Sequence, residues 1–275
     1  MKKRKLTRGL AKTLLCFGAI SAGLFSCDSD RLNENGGSGR LRISLSADTT
    51  SLKKGVTSST RSVSVDDEFF PFLTTGDYKI RIVQDKDTVS SFDRFDEMPS
   101  EIKLKEGAYT LVAYKGNNLP AAFENPYFEG NADFTIKADM NTPIDITCTL
   151  GNARIMADYT EDFKKMYSDY ATLLKTSFTT NNLEIVKGEQ RPAYLQIDKE
   201  GTELSISIRV KKVGEEKEKT YTVPSTILIE RRQNVRLIFK TDGSTNGIGL
   251  DVLLDDKLEE KTYWPEIPDF MLPKN

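Results

Sequence analysis

Three cysteines, Cys16, Cys27 and Cys148, are the residues of this 275-residue chain best suited to covalent chemistry. The chain contains no histidine. That removes the usual acid–base partner of a serine or cysteine nucleophile and the commonest zinc ligand. Cys148 lies in Ile144-Asp145-Ile146-Thr147-Cys148-Thr149-Leu150, where apolar and polar residues alternate. It shares the apolar face with Ile144, Ile146 and Leu150 and reads as a small buried hydrophobe. Carboxylates cluster at Asp66-Asp67-Glu68, Asp85-Lys86-Asp87, Asp255-Asp256 and Glu259-Glu260. Asp85 and Asp87 have oxygen ligands that suit calcium, but Asp is also a turn former, and the turn is the expected role. A glycosidase needs two carboxylates about 5–10 Å apart, a spacing that folding creates and no pair here announces. No glycine-rich phosphate loop runs from a strand into a helix. No metal and no cofactor is expected.

Cys27 has a different context. Lys2, Lys3, Arg4, Lys5, Arg8 and Lys12 precede an apolar stretch from Leu14 to Phe25, and Ser26 precedes the cysteine. A basic start, a short apolar core and a small residue before the cut describe a secretory signal peptide. The stretch is shorter than the ~20 residues that span a bilayer. Leu24-Phe25-Ser26-Cys27 resembles the lipobox of bacterial lipoproteins. That resemblance implies cleavage before Cys27, an S-diacylglycerol thioether and an N-palmitoyl cap on Cys27, and attachment to the membrane through lipid. Cys16 would leave with the leader, so Cys148 would have no intramolecular disulfide partner.

The elements that position these residues follow from composition and period. Residues 1–26 form the signal peptide and 27–39 a tether ending in Gly36-Gly37-Ser38-Gly39, flexible by composition. Without the leader's six cations the formal charge is (39 − 6) − 41 = −8, which argues against nucleic acid and against a membrane held by charge. Leu41, Ile43, Leu45 and Ala47 alternate with polar residues as a half-buried strand does. A Ser/Thr-rich gap without hydrophobic period runs from Asp48 to Val65. Short alternating runs then recur about every ten residues through residue 252, with Gly, Pro, Asn and Asp between them. The expected class is all-β: two consecutive antiparallel β-sandwich domains, 40–150 and 151–256, followed by an extended tail, 257–275. One helix interrupts the second domain. Phe163, Met166, Tyr167 and Tyr170 are spaced as one helical face over Glu161–Tyr170, with Thr160 as N-cap. Lys211–Lys219, with Gly214, reads as an exposed hairpin tip.

Met98-Pro99-Ser100-Glu101-Ile102-Lys103-Leu104-Lys105-Glu106-Gly107-Ala108-Tyr109-Thr110-Leu111-Val112-Ala113-Tyr114, Phe123–Gly130 and Cys148-Thr149-Leu150-Gly151-Asn152-Ala153-Arg154-Ile155 together resemble a family of Bacteroidales lipoproteins built on a domain of unknown function. The layout is also similar to fimbrillin-type pilins and adhesins, whose two sandwiches are transthyretin/Ig-like. The resemblance implies a surface-exposed, outer-membrane lipoprotein in adhesion or fimbria-related structure, without catalysis. It also implies proteolytic processing after Arg61, in Ser58-Ser59-Thr60-Arg61-Ser62, which would release residues 41–47 and allow strand exchange with other subunits. The alternative for Arg61 is an ordinary solvated loop residue. Four rings, Tyr127, Phe128, Tyr263 and Trp264, stand beside Pro or Gly and suit stacking on sugars or anchoring a partner. Plugging the ends of the sandwiches is the other reading. A glycan-binding accessory lipoprotein for nutrient uptake is the alternative function.

Overall fold

The computed structural model describes residues 36–49, 65–241, 247–255 and 257–259. The first half contains β1 (Ser38–Asp48), α1 (Val65–Leu73), β2 (Lys79–Gln84), β3 (Asp87–Phe92), β4 (Ile102–Lys105), β5 (Gly107–Lys115), β6 (Ala121–Phe123), β7 (Phe128–Ile136) and β8 (Asn141–Leu150). Seven of these strands make one sheet, in the order β3-β2-β5-β7-β8-β1-β4. β7 and β8 pair at Phe128/Leu150 and Glu129/Thr149, a narrow seam. Inward residues from both sides of the seam share one core. Ile80, Ile82, Leu111 and Ile136 come from one side and Leu41, Ile102, Ile146 and Cys148 from the other. The β2–β3 connection is a two-residue turn in which Asp85 (φ 49°) and Lys86 (φ 78°) are both left-handed, the geometry that matches the twist of a hairpin. Asp85 thus serves the turn.

The second half contains β9 (Asn152–Tyr159), α2 (Glu161–Met166), β10 (Tyr167–Lys175), β11 (Leu183–Val186), β12 (Ala193–Gln196), β13 (Thr202–Lys212), β14 (Glu218–Thr222), β15 (Ile227–Ile229), β16 (Asn234–Thr241), β17 (Ile248–Leu254) and β18 (Lys257–Glu259). One sheet has the order β11-β10-β13-β14, with β15 also on β13, and the other β18-β17-β16-β9-β12-β6. Alternation along β13 and β16 turns Leu204, Ile206, Ile208, Leu237 and Phe239 into a shared core between the sheets. Gly214 (φ 83°) closes the β13–β14 tip with open space around it, as a solvated hairpin end requires.

The all-β class stands, with three differences from the sequence reading. The described residues hold two short helices, not one, because α1 follows the Ser/Thr-rich gap in the first half. Its buried side chain, Phe69, packs on tertiary partners, so a sequence window over it has no self-contained signal. The expected helix over Glu161–Tyr170 stops at Met166. Thr160 caps it by accepting from the Phe163 N–H, and Tyr167 is already extended (φ −116°, ψ 122°). Phe163, Tyr167 and Tyr170 still meet, with ring centroids 4.7 and 5.4 Å from Phe163. A bulge between Tyr167 and Asp169 turns both tyrosines inward where a strict strand alternation would separate them. Finally, the sheets are mixed. β1 lies parallel to β8 and β9 parallel to β16, while every other strand pair described is antiparallel. Side-chain alternation is the same in both directions, so pairing direction is invisible to periodicity.

Candidate functional site: the junction between the two cores

α1 places Glu68 at the boundary of the two cores. β9 places Arg154 there, and β12 places Tyr194. The Arg154 Nε donates to Glu68 Oε2 at 3.0 Å, and its Nη1 donates to Asn234 Oδ1 at 3.0 Å. Tyr194 donates its hydroxyl to the other oxygen of Glu68. Arg154 is 7% exposed and Tyr194 1%. Burial first, and the Glu68 charge second, push the Tyr194 phenol far above its ordinary range, so it remains a neutral donor. Beside it, Phe69 meets Tyr194 edge-on at 6.3 Å and Phe128 at 5.5 Å, while Phe72 stacks on Phe128 at 4.7 Å. These are favourable aromatic geometries in a desolvated place.

A second set of contacts runs along the same boundary. Arg232 donates to Asp48 at 2.9 Å, from the end of β1, and Arg231 holds Glu129 and the Ile197 carbonyl. The Tyr127 N–H donates to Asn152 Oδ1 at 2.7 Å, and the Gly151 N–H donates to the Tyr127 carbonyl at 2.7 Å. Asn152 Nδ2 is buried without a hydrogen-bond partner among the described residues. The halves also exchange pieces. β6, from the first half, adds an edge strand to β12, and Tyr194, from the second half, sits in the first core. Such a joint ties the two halves together through buried hydrogen bonds, ion pairs and rings.

Of the residues singled out in the sequence, Cys27, Arg61, Tyr263 and Trp264 lie outside the described residues. Tyr127 and Phe128 are corrected as exposed contacts: they are 7% and 0% exposed. Phe128 is the aromatic floor under α1. Tyr127 leans on Tyr114 at 6.2 Å and donates to Glu129 at 3.1 Å, so both rings plug the junction end of the first half. Cys148 is fully buried, its thiol donating to the Ala113 carbonyl at 3.4 Å, and burial pushes its pKa up to about 12. Among the described residues no group of three or more Asp, Glu or Cys is arranged to hold a metal ion.

β1 has a distinctive place. Ser38–Leu41 are held between β4 and β8, and Arg40–Asp48 run along β8. Beyond Leu41, its other edge meets no second strand among the described residues. Sequence reasoning found β1 but missed α1, Glu68, Arg154 and Tyr194. An acid, an arginine and a tyrosine 86 and 126 positions apart carry no local signal.

No curated protein matches the sequence. Among solved structures, a fimbrial assembly protein from Parabacteroides distasonis aligns at 12% identity and a TM-score of 0.43, over 83% of this chain and 98% of that one. A candidate adhesin from Bacteroides ovatus aligns at 9% identity and a TM-score of 0.42, over 87% and 98%. A candidate polysaccharide-binding protein from Bacteroides thetaiotaomicron aligns at 8% identity and a TM-score of 0.39, over 80% and 96%. The family model of DUF4493, a domain of unknown function, matches residues 37–269 of the 275, and the protein belongs to that family.

Proposed function

We propose that the protein is a cell-surface, outer-membrane lipoprotein that acts as a non-catalytic structural component in adhesion or fimbria-related assembly. The observation that carries this reading is the joint. A buried, charge-paired and aromatic boundary fixes two sandwich cores into one stiff body, which suits a load-bearing subunit. The Cys27 lipobox supplies the anchor, and β1 is the first strand that the tether enters. Two domains, 40–150 and 151–256, are the units of that body. Processing after Arg61 and exchange of the β1 position with another subunit's strand remain part of the proposal, since among the described residues β1 pairs with a second strand only at Ser38–Leu41. The test is chemical and cellular. Mass spectrometry of the mature N-terminus should show an acylated Cys27, protease shaving of intact cells should release the chain, and deletion should lower adherence. An unmodified Cys27, or a deletion that leaves adherence unchanged, overturns the corresponding part.

The second reading is a glycan-binding accessory protein for nutrient uptake. The outer face around Tyr114, with Arg81 4.7 Å from its ring, is the kind of aromatic and polar surface that sugars use. A growth defect of the deletion strain confined to one polysaccharide, with normal adherence, would favour this second reading.

A further inference from the structure

The tether enters the fold at one corner. Gly37 is pinned there by its carbonyl, which accepts from the Glu106 N–H at 2.8 Å. Three segments meet at this corner. Arg40 donates its N–H to the Met140 carbonyl at 2.9 Å, the Asp139 N–H donates to the Ser38 carbonyl at 2.9 Å, and Arg40 stands opposite Lys103 in the β1–β4 ladder. Ser38, Arg40, Lys103, Asp139 and Asn141 line an open cleft of about 350 Å³. Its rim carries Met140, an exposed apolar side chain at 54%.

The charge of the corner departs from that of the chain. Arg40, Arg42, Lys103, Lys105 and Lys137 face Glu101, Glu106 and Asp139, five cations to three acids, on a chain whose formal charge without the leader is −8. Glu101 is already shared, accepting from Arg42 Nε at 2.9 Å and lying 3.5 Å from Arg40. Among the described residues neither Lys103 nor Lys137 has an ion-pair partner. Arg40 keeps 64% of its side chain in solvent.

Position turns this chemistry into a site. Nine residues, 28–36, separate Cys27 from Gly37. At ~3.3–3.6 Å each they reach at most about 32 Å. A lipid on Cys27 therefore keeps this corner within reach of the bilayer. We propose that the corner built from Arg40, Lys103, Lys137 and Met140 is a membrane-docking site that takes the phosphate-bearing headgroups of anionic lipid, with Met140 reaching into the interface. The lipid then acts as one of two attachments, and the corner sets the angle at which the body stands on the surface. The inference rests on the lipid-anchor reading for its orientation, but the headgroup contact itself needs no acyl chain.

The experiment uses residues 27–275 with Cys27→Ser, which cannot be acylated, and vesicles of phosphatidylcholine with or without about one-third phosphatidylglycerol. Co-sedimentation should be stronger with the anionic vesicles and should weaken as salt rises. Arg40→Ser with Lys103→Ser should cut that binding by about fivefold per cation, the usual effect of one basic residue near an anionic surface. Lys199→Ser with Lys217→Ser makes the same charge change elsewhere and should leave binding as it was. Equal binding to both vesicle types overturns the proposal, as does an Arg40/Lys103 variant that binds like the parent. Unchanged unfolding midpoints show that the variants fold. An unacylated Cys27 in the native protein would sink the anchor reading alone, and the vesicle result would stand apart from it.

Discussion

The two halves solve the same packing problem differently. The first folds one seven-stranded sheet over a narrow β7–β8 seam, and the second faces one sheet with another. The second keeps its large aromatic cluster inside, where Phe163 lies among Tyr159, Tyr167, Tyr170 and Phe239. The first puts its equivalent, Phe69, Phe72 and Phe128, at the boundary and completes it with Tyr194 from the other half. In return the second half takes the short edge strand β6, whose half-buried Ala121 and Phe123 pack against its core, and Glu68 as the partner of Arg154. The dependence is unequal: the first core takes in a fully buried ring from its neighbour, and the second takes only half-buried side chains at its edge.

The largest expected effect follows from that inequality. A fragment covering residues 36–150 should lack a cooperative unfolding transition, whereas a fragment covering 151–259 should keep one, followed by circular dichroism in denaturant. The comparison breaks if the first fragment unfolds at the midpoint of the intact chain. Next, Phe163→Ala should destabilise the intact protein by about 3–5 kcal/mol, because a large buried ring leaves a cavity. A loss under ~1 kcal/mol would show that the aromatic cluster around Phe163 does not hold the second core together.

Breaking the joint comes third. Glu68→Ala should cost about 3 kcal/mol, since it strands the Arg154 charge and the Tyr194 hydroxyl in a buried place. Replacing the pair together, Glu68→Leu with Arg154→Met, should recover most of that loss, because two apolar groups need no partner. If the double variant is as unstable as the single one, the joint holds by shape and not by charge.

The pH dependence has a definite sign. The folded thiol of Cys148 ionises near 12, above its ordinary value of 9.0, so the folded state holds its proton longer than the unfolded state does. Its stabilising effect is complete below pH 9 and is lost as pH rises toward 12. Near pH 10 the loss from this thiol is on the order of 1 kcal/mol. Tyr159 and Tyr167, pushed up to about 12 mainly by burial, act in the same direction in the second core. Cys148→Ala should flatten the slope between pH 9 and 10, and unfolding curves at several pH values measure it. The smallest effect is Tyr194→Phe, about 1 kcal/mol, for one hydrogen bond to a Glu68 that keeps Arg154.

The sequence showed the strands well because their partners do not matter to the pattern. Ile144, Ile146, Cys148 and Leu150 alternate whichever strand lies beside them. It also brought Phe163, Tyr167 and Tyr170 together correctly, though by a helical spacing that the chain achieves with a half-length helix and a bulge. Tyr127 and Phe128 misled in one respect. Flanking Pro and Gly mark a loop, but they do not say whether the loop turns outward or caps a core. α1 was hidden because its one deeply buried residue, Phe69, has all its partners on other elements.

By itself, then, the sequence determined the all-β class, most strand positions, the buried thiol and the absence of histidine chemistry. These depend on composition and on period, which are local. Only the tertiary structure decided the parallel pairing of β1 with β8 and β9 with β16, the exchange of β6 for Tyr194, and the Glu68–Arg154–Tyr194 joint. Each of those depends on which distant segments meet: Glu68, Arg154, Tyr194 and the rings of Phe69, Phe72 and Phe128 lie too far apart in the chain for a short stretch to enclose them.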